Sequence, residues 1–106
     1  MNYIIGIDIG GTSIKIGLFD VSGNLKKKWT VFTNKKENGK HIMQDIYQSL
    51  VNKKINLDNV IGYGFGVPGP VVNGTVLQAV NIGWQDYDLA LEFSQLVNNS
   101  NVHVGN

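Results

Sequence analysis

A chain of 106 residues with 42% hydrophobic and 16% charged residues has the composition of one modest folded domain and is too short for two full-sized ones. Its formal net charge of +1 gives no electrostatic reason to expect nucleic acid or a membrane surface as partner. The absence of cysteine excludes disulfides, thiolate chemistry and cysteine-ligated zinc within these residues. The start MNYIIGIDIGG lacks the cationic segment of a secretory signal, so the cytoplasm is the expected location.

Three strands are predicted at the beginning of the chain. Residues 3–9 form a run rich in isoleucine, and residues 13–20 alternate apolar with small or charged side chains. Both patterns are typical of strands, here joined by a glycine turn. A third strand is predicted over 25–33, where the lysines at 26–28 suit an exposed sheet edge better than a binding patch.

The rest of the chain alternates helices with strands. A helix is predicted over about 38–55, and a buried strand over 59–67 is followed by a hairpin turn at Asn73-Gly74. A second helix is predicted from about Asp86, and a last strand over 101–104. The apolar face of the first helix is expected to comprise Ile42, Met43, Ile46, Leu50 and Val51. The order βββαβαβ predicts one α/β domain built on a mixed five-stranded sheet.

A glycine-rich stretch follows the predicted strand at 59–67. Residues 64–69 match the G-x-G-x-x-G pattern of dinucleotide-binding proteins. Pro68 and Pro70 prevent the helix that should receive the pyrophosphate in such a site. The pattern therefore does not indicate a dinucleotide site.

The stretch DIGGTSIK at 8–15 differs because its glycines turn between two strands. Strand alternation places Asp8 on the face opposite the neighbouring isoleucines, beside the turn. The residues alone leave two roles open for its carboxylate. It either caps its own hairpin or holds Mg²⁺ through water beside a bound phosphate.

The turn itself has the composition of an anion site. The backbone amides of Gly10, Gly11 and Thr12 are predicted to face phosphate, and the hydroxyls of Thr12 and Ser13 are predicted to donate to it. Lys15 either reaches the phosphate or extends into solvent. The predicted cofactor-binding residues are thus Asp8, Gly10, Gly11, Thr12, Ser13 and Lys15.

These motifs together resemble a known family. IGIDIGGTSIKIGLFD is similar to the first phosphate motif of sugar kinases in the actin–hexokinase–Hsp70 superfamily. GYGFGVPGPV followed by AVNIGWQDYDLALEF resembles the ROK family (repressor, open reading frame, kinase), and bacterial glucokinases in particular. The resemblance runs from Tyr3 to Asn106. It implies a ribonuclease-H-like fold with two lobes, and ATP, Mg²⁺ and a hexose, expected to be glucose, between them.

The resemblance also implies sugar contacts at Gly69, Asn81 and Asn106. Amide side chains suit sugar hydroxyls because each offers both a donor and an acceptor. From the residues alone, the alternative for Asn81 is a hydrogen bond to local backbone, and the alternative for Gly69 is a Pro-Gly-Pro turn, which is compatible with a sugar contact. His41 and His103 have no ligand-spaced partner and are expected to be structural.

In the family, the carboxylate that accepts the sugar's proton would follow Asn106. No residue of this chain is therefore expected to be the catalytic base. Residues 1–106 are expected to be the N-terminal lobe of a homo-oligomeric kinase, inactive without the C-terminal lobe. Sugar-sensing repressors of the same family are the alternative function.

Overall fold

The structure, a computed structural model, describes residues 1–106. The strands are β1 (Tyr3–Ile9), β2 (Ser13–Asp20), β3 (Leu25–Phe32), β4 (Val60–Gly66), β5 (Val71–Val72), β6 (Thr75–Ala79), β7 (Trp84–Asp88) and β8 (Val102–Gly105). The helices are α1 (Lys36–Gly39), α2 (Ile42–Asn52) and α3 (Leu89–Val97), and a 3₁₀ turn spans Leu57–Asn59. No helix has the length and apolar character needed to cross a membrane.

Five strands form the main sheet in the order β3-β2-β1-β4-β8. The first three are antiparallel because short turns join them, whereas β4 and β8 run parallel to β1 because each is reached through a helix. The predicted mixed five-stranded sheet is confirmed. Because β1, β4 and β8 are parallel, their carboxyl ends meet at one edge of the sheet.

One face of this sheet packs against α2 and α3. The strands contribute buried isoleucines and Phe65, and α2 contributes four residues that are 0% exposed: Ile42, Met43, Ile46 and Leu50. From α3, the ring of Phe93 meets those of Tyr63 and Phe65 edge-on, with centroids 5.2 and 4.9 Å away. Val51 is 46% exposed, so its predicted place in the core is wrong. It lies one residue past Leu50, which turns it about 100° away from the buried stripe.

A second sheet, in the order β5-β6-β7, extends from the end of β4. The predicted hairpin turn at Asn73-Gly74 is confirmed, with both residues at positive φ. The prediction that a helix begins at about Asp86 is wrong, because residues 84–88 pair with β6 and Asp86 has a φ of 49°. The helix begins at Leu89, after Asp88, whose carboxylate caps it by accepting a hydrogen bond from the Leu91 amide at 3.2 Å.

The other face of the main sheet is lined by glycine and remains open. Its glycines alternate along the strands with the core residues: Gly6, Gly17, Gly64, Gly66 and Gly105. A groove of about 750 Å³ lies over this surface. No helix of the chain covers it, so backbone and the few side chains there face outward.

Candidate functional site

The candidate site lies at the edge where β1, β4 and β8 end. Asp8 is the register partner of Gly66, and Gly66 is the register partner of Gly105. In open α/β sheets, ligands bind beyond the carboxyl ends of the strands. The turn after β1, the Pro-Gly turn after β4 and Asn106 after β8 are therefore neighbours at a position suited to a ligand.

The glycine turn has two free backbone donors rather than the three predicted. The amide of Gly10 donates to the carbonyl oxygen of Ser13 at 3.0 Å, which closes the hairpin and occupies this group. A Cβ on Gly10 would stand 2.8 Å from the same oxygen, so only glycine fits there. The expectation that the Gly10 amide faces phosphate is therefore wrong. The amides of Gly11 and Thr12 donate to no backbone group and stay free for an anion.

The side chains of Asp8 and Lys15 lie across from each other on β1 and β2, and both line the open groove. They form no ion pair, and Asp8 accepts no hydrogen bond from the turn, so its carboxylate does not cap its own hairpin. Its Oδ1 atom lies 3.7 Å from where a Cβ on Gly66 would be, which shows how closely β4 approaches it.

Asp8 fits the role of a magnesium ligand. It belongs to no cluster of three or more carboxylate or imidazole groups, so these residues build no cage of such ligands around it. Mg²⁺ suits such a place because it keeps several waters and takes other oxygens from phosphate. The hydroxyls of Thr12 and Ser13 donate to no group within the chain and stand at the same turn.

The Pro-Gly turn after β4 is held from two sides. A Cβ on Gly69 would overlap the carbonyl oxygen of Gln78, so glycine is needed where the turn packs against β6. With its carboxamide nitrogen facing the turn, Asn106 donates to the carbonyl oxygens of Val67 and Gly69 at 3.2 and 3.3 Å. The carboxamide oxygen of Asn106 is then the atom left to accept a hydrogen bond from a ligand.

The loop between β6 and β7 brings Asn81 to the glycine turn. Its Cβ lies 3.8 Å from where a Cβ on Gly11 would be, and the residue is exposed. The loop is anchored by Trp84, whose Nε1 atom donates to the carbonyl oxygen of Gly39 at 3.3 Å and whose ring stacks on Tyr87. The predicted phosphate residues and the predicted sugar residue Asn81 are therefore adjacent.

Neither histidine belongs to the turns at the ends of the strands, although His103 lines the open groove together with Asp8 and Lys15. His41 stands 3.6 Å from the carboxylate of Glu37, and His103 forms a 2.8 Å hydrogen bond with the side chain of Asn101. The structure adds one residue that the sequence does not indicate. This residue is Thr33, whose side chain forms a hydrogen bond with the glycine turn. A threonine after an alternating strand carries no sequence signal of a contact 23 residues away.

Comparison with known proteins extends these observations. A sequence model of the ROK family matches residues 4–106. The glucokinase of Halalkalibacterium halodurans is 35% identical over 94 residues, which cover 82% of this chain and 28% of that enzyme. The chain thus spans less than a third of the length of this relative.

Solved structures show the same relationship. A ROK family glucokinase from Streptomyces griseus, in complex with glucose and AMPPNP, superposes with a TM-score of 0.82 at 31% identity, over 99% of this chain and 33% of that one. A ROK family transcriptional regulator, described as a homologue of the E. coli MLC protein, superposes with a TM-score of 0.83 at 18% identity. That match covers 98% of this chain and 27% of the regulator, and it shows a shared fold alone.

Proposed function

The chain belongs to the ROK family, and on that premise we propose that residues 1–106 form the N-terminal lobe of an ATP- and Mg²⁺-dependent hexose kinase. The expected reaction transfers the γ-phosphoryl group of ATP to the 6-hydroxyl of glucose. The observation that carries the proposal is the placement of two free turn amides, at Gly11 and Thr12, beside the exposed amide side chain of Asn81. Donors for phosphate and a partner for a sugar hydroxyl therefore meet at one edge of the sheet.

Each residue at this edge has a part in the proposed reaction. The amides of Gly11 and Thr12 bind the β- and γ-phosphates, and the hydroxyls of Thr12 and Ser13 add further donors. Asp8 would hold Mg²⁺ through water, and the ion would supply positive charge beside the phosphates. Lys15 lines the groove near Asp8 and supplies positive charge to the same region.

The sugar side of the proposal rests on Gly69, Asn81 and Asn106. Asn106 has already used its amide donors on the Pro-Gly turn, so we expect its oxygen to accept from a sugar hydroxyl. Asn81 keeps both its donor and its acceptor, and Gly69 offers backbone close to the sugar. The site contains no second carboxylate beside Asp8, so the base that accepts the sugar's proton is proposed to lie outside these residues.

In amino-acid sequence, the chain is more similar to two glucokinases than to the regulator. Glucokinases share 35% and 31% of the aligned residues with this chain, against 18% for the regulator. The proposal is completed by a second lobe that closes over the nucleotide, a cytoplasmic location and a homo-oligomeric protein.

The test is a coupled assay on the complete gene product that carries these residues, with a panel of hexoses and with or without ATP and Mg²⁺. Glucose phosphorylation that requires both ATP and Mg²⁺ is the expected result, and the 106-residue chain alone should be inactive. The absence of phosphorylation for every hexose would overturn the proposal. Turnover by the isolated chain would overturn the assignment of the base to another part of the protein.

A further inference from the structure

Thr33 is buried against the glycine turn, at the end of β3. It is the one buried residue that is neither hydrophobic, aromatic nor glycine, and none of its surface is exposed. Its hydroxyl donates a hydrogen bond to the carbonyl oxygen of Gly10 at 2.9 Å. Its backbone amide donates to the carbonyl oxygen of Thr12 at 3.0 Å. A single residue thus holds both sides of the turn.

The bond from Thr33 to the Gly10 carbonyl also fixes the direction of the Gly11 amide. These two groups belong to one peptide unit, and in a trans peptide the C=O and N–H point to opposite sides. The chain contains no cis peptide bond. Because the Gly10 carbonyl faces Thr33, the Gly11 N–H points away from Thr33.

Without such a contact, this peptide unit would be free to rotate. Neither Gly10 nor Gly11 carries a Cβ, so both orientations of the peptide between them are sterically accessible. In the rotated orientation, the Gly10 carbonyl would face the ligand and present a partial negative charge to phosphate. The hydroxyl of Thr33 selects the orientation that presents a donor.

We propose that Thr33 is a positioning residue that locks the Gly10–Gly11 peptide with its N–H toward the anion. The inference rests on the proposed function in so far as that anion is the nucleotide phosphate. Thr33 is 0% exposed, so its side chain is not accessible to a ligand and acts through the turn. A hydrogen bond to a charged group changes affinity by roughly ten- to a hundredfold.

The kinetic test compares Thr33→Val, which removes the hydroxyl, with Thr33→Ser, which keeps it. Thr30→Val is the matched control because Thr30 lies on β3, three residues before Thr33, with its side chain exposed. In the complete gene product, Thr33→Val is expected to raise the KM for ATP at least about tenfold and to leave the KM for glucose within about twofold. Thr33→Ser and Thr30→Val are expected to keep both constants near those of the unchanged protein.

A purely structural role for Thr33 predicts a different result. The melting temperature would fall in Thr33→Val. The ratio of the KM for ATP to the KM for glucose, measured well below that temperature, would stay the same as in the unchanged protein. An unchanged KM for ATP in Thr33→Val would overturn the inference.

A second measurement separates this inference from the proposed function. With ¹⁵N-labelled glycine in the complete gene product, added pyrophosphate is expected to shift the Gly11 amide resonance in the unchanged protein and in Thr33→Ser, but not in Thr33→Val. If no hexose is phosphorylated, the proposed function fails while this shift still decides the role of Thr33. A Gly11 resonance that does not respond, or responds equally in Thr33→Val, would contradict the inference.

Discussion

The two faces of the main sheet differ although the same strands build both. On the covered face, Ile5, Ile14 and Ile16 are at most 2% exposed beneath α2 and α3. On the open face, the alternate positions hold Gly6, Gly17 and three more glycines, together with charged side chains that include Asp8 and Lys15. Because side chains alternate along a strand, each strand can contribute apolar volume on one side and accessible backbone on the other. Stability and ligand access are thus encoded by interleaved residues rather than by separate segments.

The largest expected effect is on stability, from a change on the covered face. Ile16→Ala is expected to lower the free energy of unfolding by about 2–5 kcal/mol, because it leaves a cavity in the core. The matched change on the open face is Gly64→Ala, where an added methyl group meets no atom within 4 Å. We expect it to change the free energy of unfolding by less than about 1 kcal/mol. Urea unfolding of both variants measures the two changes in the free energy of unfolding. Equal losses of this free energy in the two variants would contradict the contrast between the faces.

The next effect is on activity, from a change on the open face. Asp8→Asn is expected to lower the kcat of the complete gene product about a hundredfold, because a neutral amide holds Mg²⁺ poorly. Its melting temperature should stay close to that of the unchanged protein, since Asp8 is exposed and makes no ion pair. The control is Asp58→Asn, an exposed acid at the opposite edge of the sheet, where β4 begins. A full kcat in Asp8→Asn, or an equal loss in Asp58→Asn, would argue against a special role for Asp8.

The smallest effect concerns a polar atom on the covered face. The hydroxyl of Tyr63 is buried without a hydrogen-bond partner, and burial raises the pKa of Tyr63 to about 12, with a smaller contribution from Tyr47. The unfolded chain releases this proton near pH 10, so the contribution of Tyr63 to stability is complete below about pH 10 and is lost as the pH rises from about 10 to 12.

Tyr63→Phe should therefore be nearly neutral at about pH 7, because no hydrogen bond is lost, and should reduce the alkaline loss of stability. The measurement is the urea midpoint at about pH 7 and about pH 11. Tyr3→Phe, at a tyrosine that is only half-buried, is the control and should keep the alkaline loss. An identical pH dependence in Tyr63→Phe and the unchanged protein would show that the Tyr63 hydroxyl is not desolvated.

The sequence predicts the covered face well because its pattern is local. The bounds of β1 and β2 agree with those predicted, since alternating isoleucines leave little choice of element or register. The pattern predicts a helix from about Asp86, because acids at 86 and 88 are equally typical of a helix N-terminus, but these residues belong to β7. Its pairing with β6 depends on a partner strand and not on its own residues.

The open face and the site at its edge are less predictable. The clustering of glycine is visible in the sequence, but which glycines share a face follows from the pairing of β1 with β4 and of β4 with β8. The approach of Asn81 to Gly11, and the hydrogen bond between Thr33 and Gly10, join residues far apart in the chain. The use of the Gly10 amide inside the hairpin depends on the turn geometry, which the residues GGT do not determine.

The anchoring of the Asn81 loop by Trp84 provides the protein with an optical probe of its own. Trp84 lies three residues after Asn81 and is 3% exposed, and its indole stacks on the ring of Tyr87 with centroids 4.5 Å apart. The other tryptophan of the chain, Trp29, lies on β3 and donates to the hydroxyl of Ser49. A sugar that draws Asn81 inward would alter the surroundings of the first indole and leave the second unchanged. In a Trp29→Phe background, the emission of this chain would therefore report on sugar occupancy without an added label.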